Sequence, residues 1–135
     1  LRPRSTWELA TYLKHKDCSP ALSQSILNKL SDIGMVDDES FARAWVASRR
    51  SLKPTSLRRL QQELRAKRIG DDIISKVLGE EEGDEEQAAL KRMIVTKRRQ
   101  TRYQDKQKLM LYLSGQGFGY GDIKDALDAL QELED

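Results

Sequence analysis

Apolar residues recur along this chain at three- and four-residue intervals, the period of one face of an α-helix. Ser5-Thr6-Trp7-Glu8 has capping-box spacing and predicts a helix start, after which Leu9 and Leu13 share a face. Ser19-Pro20 predicts a second start, with Leu22, Ile26 and Leu30 on one side until Gly34 stops it. Asp37-Asp38 opens a third helix. There Phe41, Trp45 and Ser48 or Arg49 share a face, and Arg49-Arg50 suits the negative end of the helix dipole.

The phrase then returns. Pro54-Thr55-Ser56 precedes Leu57, Leu60 and Leu64; Asp71-Asp72 precedes Ile73, Val77 and Leu78; Asp84-Glu85-Glu86 precedes Ala89, Met93 and Lys97. A third pass starts near Tyr103, with Leu109 and Leu113, then Gly117-Phe118, then Ile123, Leu127 and Leu130. Counting tests the register: Leu13 to Leu22 and Leu64 to Ile73 are nine residues apart, Leu113 to Ile123 ten, and Ile26, Val77 and Leu127 follow four further on. The expectation is an all-α protein of about eight helices in tandem three-helix repeats, divided at residues 1–52, 53–101 and 102–135. Such short units bury little alone, so they are expected to stack into one continuous, elongated unit with long faces.

Composition supports this picture. Charged residues make up 34% and aromatics 6% of 135 residues, as in helical rather than strand-rich chains. The longest uncharged stretch, Leu109 to Gly121, contains four glycines, so no membrane span is expected. The chain opens at Leu1 with no charged-then-apolar leader and holds a lone Cys18, and is therefore expected to be a trimmed piece of a cytosolic protein.

The net charge of +2 conceals segregation. Segment 43–68 carries nine Lys/Arg against one Glu and segment 91–108 eight against one Asp. Segment 71–86 carries eight acids against one Lys, and 122–135 six against one. Because the basic segments also carry the helical pattern, their charge is displayed on ordered surface and points to a polyanion, either nucleic acid or an acidic protein groove. The candidates are Arg49, Arg50, Lys53, Arg58, Arg59, Arg65, Lys67 and Arg68 in the first cluster and Lys91, Lys97, Arg98, Arg99 and Arg102 in the second.

Catalysis finds no constellation. One His, one Cys and no Gly-rich phosphate loop argue against an enzyme, a metal site or a cofactor. His15, among Lys14, Lys16 and Asp17, reads as a surface histidine, and the pairs Asp37-Asp38 and Asp71-Asp72 as helix caps. Gly115, Gly117, Gly119 and Gly121 follow a helix, and Phe118 and Tyr120 between them read as turn anchors. Phe41 and Trp45, four apart beside Ala42 and Val46, read as core rather than as base-stacking aromatics.

These residues resemble a known family. Arg4-Ser5, Glu8-Leu9, Tyr12-Leu13, Gly34, Asp37-Asp38, Phe41-Ala42, Trp45-Val46 and Arg49 look like the signature region of the RecX regulators. Leu60, Glu63-Leu64, Lys67 and Ile69, then Tyr112-Leu113, Gly117-Phe118, Ile123 and Ala126-Leu127, continue it in order over nearly the whole chain. Arg68 departs from the pattern, standing where the family often has Gly, and the chain starts partway into the first repeat. The resemblance implies an extended, curved body of three-helix repeats that does no chemistry. It also implies binding to the RecA recombinase filament, inhibiting ATP hydrolysis, filament growth and strand exchange, with weak non-specific binding to single- and double-stranded DNA. A cytoplasmic monomer is expected. The alternative reading is a non-specific DNA-binding helical module.

Overall fold

The computed structural model describes residues 4–34, 36–81 and 83–134. Among them are eight α-helices: α1 (Thr6–His15), α2 (Pro20–Asp32), α3 (Asp38–Leu52), α4 (Leu57–Ala66), α5 (Asp71–Gly79), α6 (Gly83–Lys97), α7 (Lys106–Gly115) and α8 (Tyr120–Glu134). A 3-10 turn over Thr101–Gln104 precedes α7, and a parallel bridge joins Arg4 to Val36, with no strand among the described residues. All-helical architecture and the number of helices agree with the sequence pattern.

Local chemistry sets the starts. Ser5 Oγ accepts the Glu8 amide at 3.1 Å, Ser19 Oγ accepts that of Leu22 at 3.2 Å, and Asp37 Oδ1 accepts those of Glu39 and Ser40 at 3.0 and 3.1 Å. These bonds, Ser40 foremost, hold the Asp37 carboxyl below its ordinary pKa. Asp38 does more than complement its own helix: its Oδ1 accepts the Thr6 amide at 2.7 Å, tying the start of α1 to that of α3.

One turn is built three times. After α1, α4 and α7 the chain enters the left-handed region at Asp17 (φ 59°), Arg68 (φ 62°) and Gly117 (φ 101°). The next amide then reaches back to the helix: Cys18 to the Leu13 carbonyl at 3.1 Å, Ile69 to Leu64 at 3.1 Å and Phe118 to Leu113 at 3.3 Å. This is the Schellman closure, and its carbonyl acceptors are the three leucines from which the repeat register was counted. Arg68 therefore makes the same turn that a glycine would.

The chain divides into two compact units, Leu1–Ser48 with Gln62–Gly79, and Arg49–Gln61 with Glu80–Asp135. In the first, Val36, Phe41, Ala42, Val46, Leu64, Ile69, Ile74 and Val77 are buried. Here α1 buries no residue, and α2 buries Leu27 while Leu22, on the expected stripe, is 53% exposed. In α5 the fully buried isoleucine is Ile74 rather than Ile73, and Ser48 is exposed. Trp45 is half-buried rather than fully enclosed: its ring stacks on Phe41 at 6.2 Å, its Nε1 donates to Glu63 Oε1 at 3.0 Å, and Lys67 Nζ lies 5.0 Å from its centroid.

In the second unit Ala89, Leu90, Met93 and Ile94 of α6 pack with Leu109 and Leu113 of α7, Phe118, and Ile123, Ala126 and Leu127 of α8 in a contiguous core. Phe118 is buried at the α7–α8 turn as expected of an anchor, whereas Tyr120 is 69% exposed. Gly117 is required there for space as well as for φ, since a Cβ would lie 2.4 Å from Ser56 Oγ.

Candidate functional site

Of the thirteen nominated cations, ten fall in the second compact unit; Arg65, Lys67 and Arg68 fall in the first. Both basic clusters thus draw mainly on one unit. Lys53, Arg58, Arg99 and Arg102 are exposed there, and Arg49, Arg59, Lys91, Lys97 and Arg98 are half-buried. Arg58 stands beside the α7–α8 turn, its Cβ 3.6 Å from the point a Gly117 side chain would occupy.

Arg50 must be withdrawn from the basic face. Its side chain is only 10% exposed and lies between two acids, with NH1 3.6 Å from Glu81 and NH2 3.4 Å from Glu86. The Glu86 carboxylate in turn accepts the Leu57 amide at 3.1 and 3.2 Å, so this acid of α6 caps α4. Burial pushes the Glu86 carboxyl above its ordinary range; the Leu57 amide and the Arg50 charge oppose that rise, and Asp122 adds to it. Ser56 completes the cap, accepting the Arg59 amide at 3.1 Å while its hydroxyl donates to the Gln116 carbonyl at 2.8 Å. The α4 basic residues are therefore carried on a helix whose start is fixed twice over.

Other nominated cations are also committed. Arg65 Nε donates to Asp71 Oδ1 at 3.1 Å across the α4–α5 turn, in an exposed pair of the kind that contributes about 1 kcal/mol or less. Lys97 Nζ lies 4.8 Å from the Tyr112 ring centroid, and the Arg102 guanidinium carbon 5.6 Å from that of Tyr103. The two tyrosines are 5.0 Å apart and tilted by 47°. This knot of two cations and two rings was not visible in sequence, where Tyr103 marked only the start of a third pass. Glu39, on α3, takes ion pairs from Lys76 at 2.9 Å and from Arg43, which hold its carboxyl below the ordinary range.

His15 is exposed, and no group of three or more His, Cys, Asp or Glu among the described residues is arranged to hold a metal ion. No helix among them is long and apolar enough to cross a membrane.

A family profile described as RecX, second three-helix domain, matches residues 37–78, the stretch that holds α3, α4 and α5. The Regulatory protein RecX of Prosthecochloris aestuarii is 34% identical over 132 residues, covering 96% of this chain and 86% of that protein. The protein of the same name from Mycobacterium tuberculosis is 41% identical over 78 residues, 58% of this chain and 45% of that one. That from Bacillus subtilis is 29% identical over 138 residues, 99% of this chain and 52% of its own length. The chain therefore spans about half the length of the latter two. Among solved structures, RecX from Lactobacillus salivarius has a TM-score of 0.84 at 19% identity, covering 96% of this chain and 87% of that one. Another crystal structure, of regulatory protein RecX, has a TM-score of 0.80 at 24% identity, covering 92% of this chain and 64% of that one. The folds agree, and the sequence relationship to the Prosthecochloris protein goes further: this chain belongs to the RecX family of regulatory proteins.

Proposed function

We propose that this chain binds the RecA recombinase filament and inhibits its ATP hydrolysis, growth and strand exchange, so modulating recombinational DNA repair and the SOS response. It acts as a cytoplasmic monomer and performs no catalysis of its own. The observation that carries this reading is the concentration of cations in one compact unit: Arg58 and Arg59 on α4, Lys91 and Lys97 on α6, and Lys53, Arg98, Arg99 and Arg102 in the segments that flank these helices, which are held by the cap at Glu86 and by the α6–α7–α8 core. A nucleoprotein filament presents phosphate and acidic protein surface together, and a fixed array of positive charge complements both. Membership of a family of regulatory proteins supports a protein partner such as RecA. The tandem repeats at 1–52, 53–101 and 102–135 form part of the same proposal.

The alternative, a non-specific DNA-binding module, differs in what the filament contributes. An inhibitor that bridges neighbouring protomers acts well below one molecule per RecA, because each blocked growth point affects many subunits. A competitor for bare DNA must cover the lattice. Titrating this chain against RecA ATP hydrolysis on single-stranded DNA separates the two: half-inhibition far below equimolar is expected, and half-inhibition only near lattice saturation overturns the filament reading.

A further inference from the structure

The second unit contains a cavity of about 480 Å³ between the end of α6, the 3-10 turn, α7 and α8, within the size range of sites for small organic ligands. We propose that it accepts one unstacked nucleotide of a single-stranded nucleic acid. The proposal rests on the reading above that the basic residues face a polyanion, and gives that polyanion a seat.

The lining has the chemistry of a nucleotide in the right mixture. Leu109 and Leu127, 2% and 4% exposed, contribute apolar surface, and the half-buried Tyr103 contributes a ring on which a base can stack. Gln104 and Gln131 bring amides that both donate and accept, as the edge of a base requires. Arg98 and Lys106 bring positive charge to the same cavity, and the exposed Arg99 and Arg102 follow Arg98 one and four residues along the chain, so the phosphates on either side of the seated base meet cations. Tyr103 also packs against Tyr112, with Arg102 over its ring and Lys97 over that of Tyr112, so a base meets the part of the Tyr103 ring that lines the cavity.

Asp128 decides between the two kinds of polyanion. It also lines the cavity, and a carboxylate there repels an Asp or Glu side chain pushed in from an acidic protein. A base carries no charge and offers N–H donors, the imide N–H of thymine among them, that a carboxylate accepts, while its phosphates stay outside. A duplex is excluded for a different reason, since a paired and stacked base cannot enter without being unstacked.

The test uses this chain alone with a fluorescent oligothymidylate of about 15 nucleotides, with and without one photoreactive 5-iododeoxyuridine. Ultraviolet cross-linking is expected to join the modified base to the peptide containing Tyr103. Tyr103→Leu is expected to weaken binding of the single strand about tenfold, with circular dichroism unchanged and binding of a duplex of equal length unaffected. Cross-linking confined to other peptides overturns the proposal, and because it is read on the unaltered chain it does so even if Tyr103→Leu fails to fold. Displacement of the oligonucleotide by polyglutamate as readily as by unlabelled oligothymidylate overturns it in favour of an acidic protein face. RecA is absent throughout, so a failure here with filament inhibition intact removes the seat and leaves the proposed function standing.

Discussion

The carboxylate of Glu86 on α6 accepts the backbone amide of Leu57, the first residue of α4, through both its oxygens, at 3.1 and 3.2 Å. The bond spans 29 residues of chain and joins the start of α4, which carries Arg58 and Arg59, to α6, which carries Lys91 and Lys97. Glu86→Ala removes the cap and leaves the buried Arg50 with Glu81 alone. Chemical denaturation should show a loss of about 2–4 kcal/mol. Glu86→Gln keeps an acceptor for Leu57 and should cost distinctly less.

The same residue makes stability depend on pH. The Glu86 carboxyl is raised in the folded state, chiefly by burial, so the folded chain holds its proton more tightly than the unfolded chain. That contribution is fully present below the ordinary value of 4.5 and is lost as pH rises through the raised folded value. Asp37 has the opposite sign: its carboxyl is lowered, mainly by the Ser40 amide, so its contribution is present above 3.8 and lost as pH falls below it. Urea melts taken from neutrality downward should therefore show a stability gain on approach to 4.5 that Glu86→Gln abolishes, then a loss in stronger acid that Asp37→Asn reduces.

The repeated turn predicts opposite outcomes for two substitutions. Arg68 occupies the left-handed region at φ 62° with an exposed side chain, so Arg68→Gly relieves backbone strain and should stabilise by up to about 1 kcal/mol after the entropy of the freer chain is deducted. Gly117→Ala adds a Cβ 2.4 Å from Ser56 Oγ, an atom held by its bonds to Arg59 and Gln116, and should cost about 2–4 kcal/mol. Equal effects at the two positions would contradict their structural equivalence.

Trp45 is half-buried, with one hydrogen bond to Glu63 and the Lys67 ammonium over its ring. Trp45→Ala should accordingly cost about 2–3 kcal/mol, less than the 3–5 kcal/mol typical of a fully enclosed aromatic. Trp45→Phe should recover most of that, since the stack on Phe41 survives. Thermal melting of the two variants checks both figures.

Helix starts at Ser5, Ser19 and Asp37 were legible because a cap acts on amides two or three residues away. The leucine register was legible for the same reason, since each turn closes on the carbonyl of Leu13, Leu64 or Leu113 within five residues. Periodicity tells which residues share a face but not whether anything covers it, which is why Leu22 and Trp45 are more exposed than their stripes implied. A count of charges likewise cannot separate Arg58, exposed on α4, from Arg50, enclosed between two acids more than thirty residues away. The Tyr103–Tyr112 pair and the cavity beside it depend on how α6, α7 and α8 pack, so no local pattern announces them.

The most direct test of the central claim reverses one exposed arginine from each basic cluster. Arg58→Glu together with Arg99→Glu leaves the buried leucines of α4 and the α6–α8 core untouched, so circular dichroism and melting should match the parent chain. Inhibition of RecA ATP hydrolysis is then measured across a range of salt. Inhibition should weaken at least tenfold; where the arginines meet DNA phosphate, the slope of log affinity against log salt should also flatten by about 0.7–0.9 per lost contact. Undiminished inhibition by the double variant would contradict it.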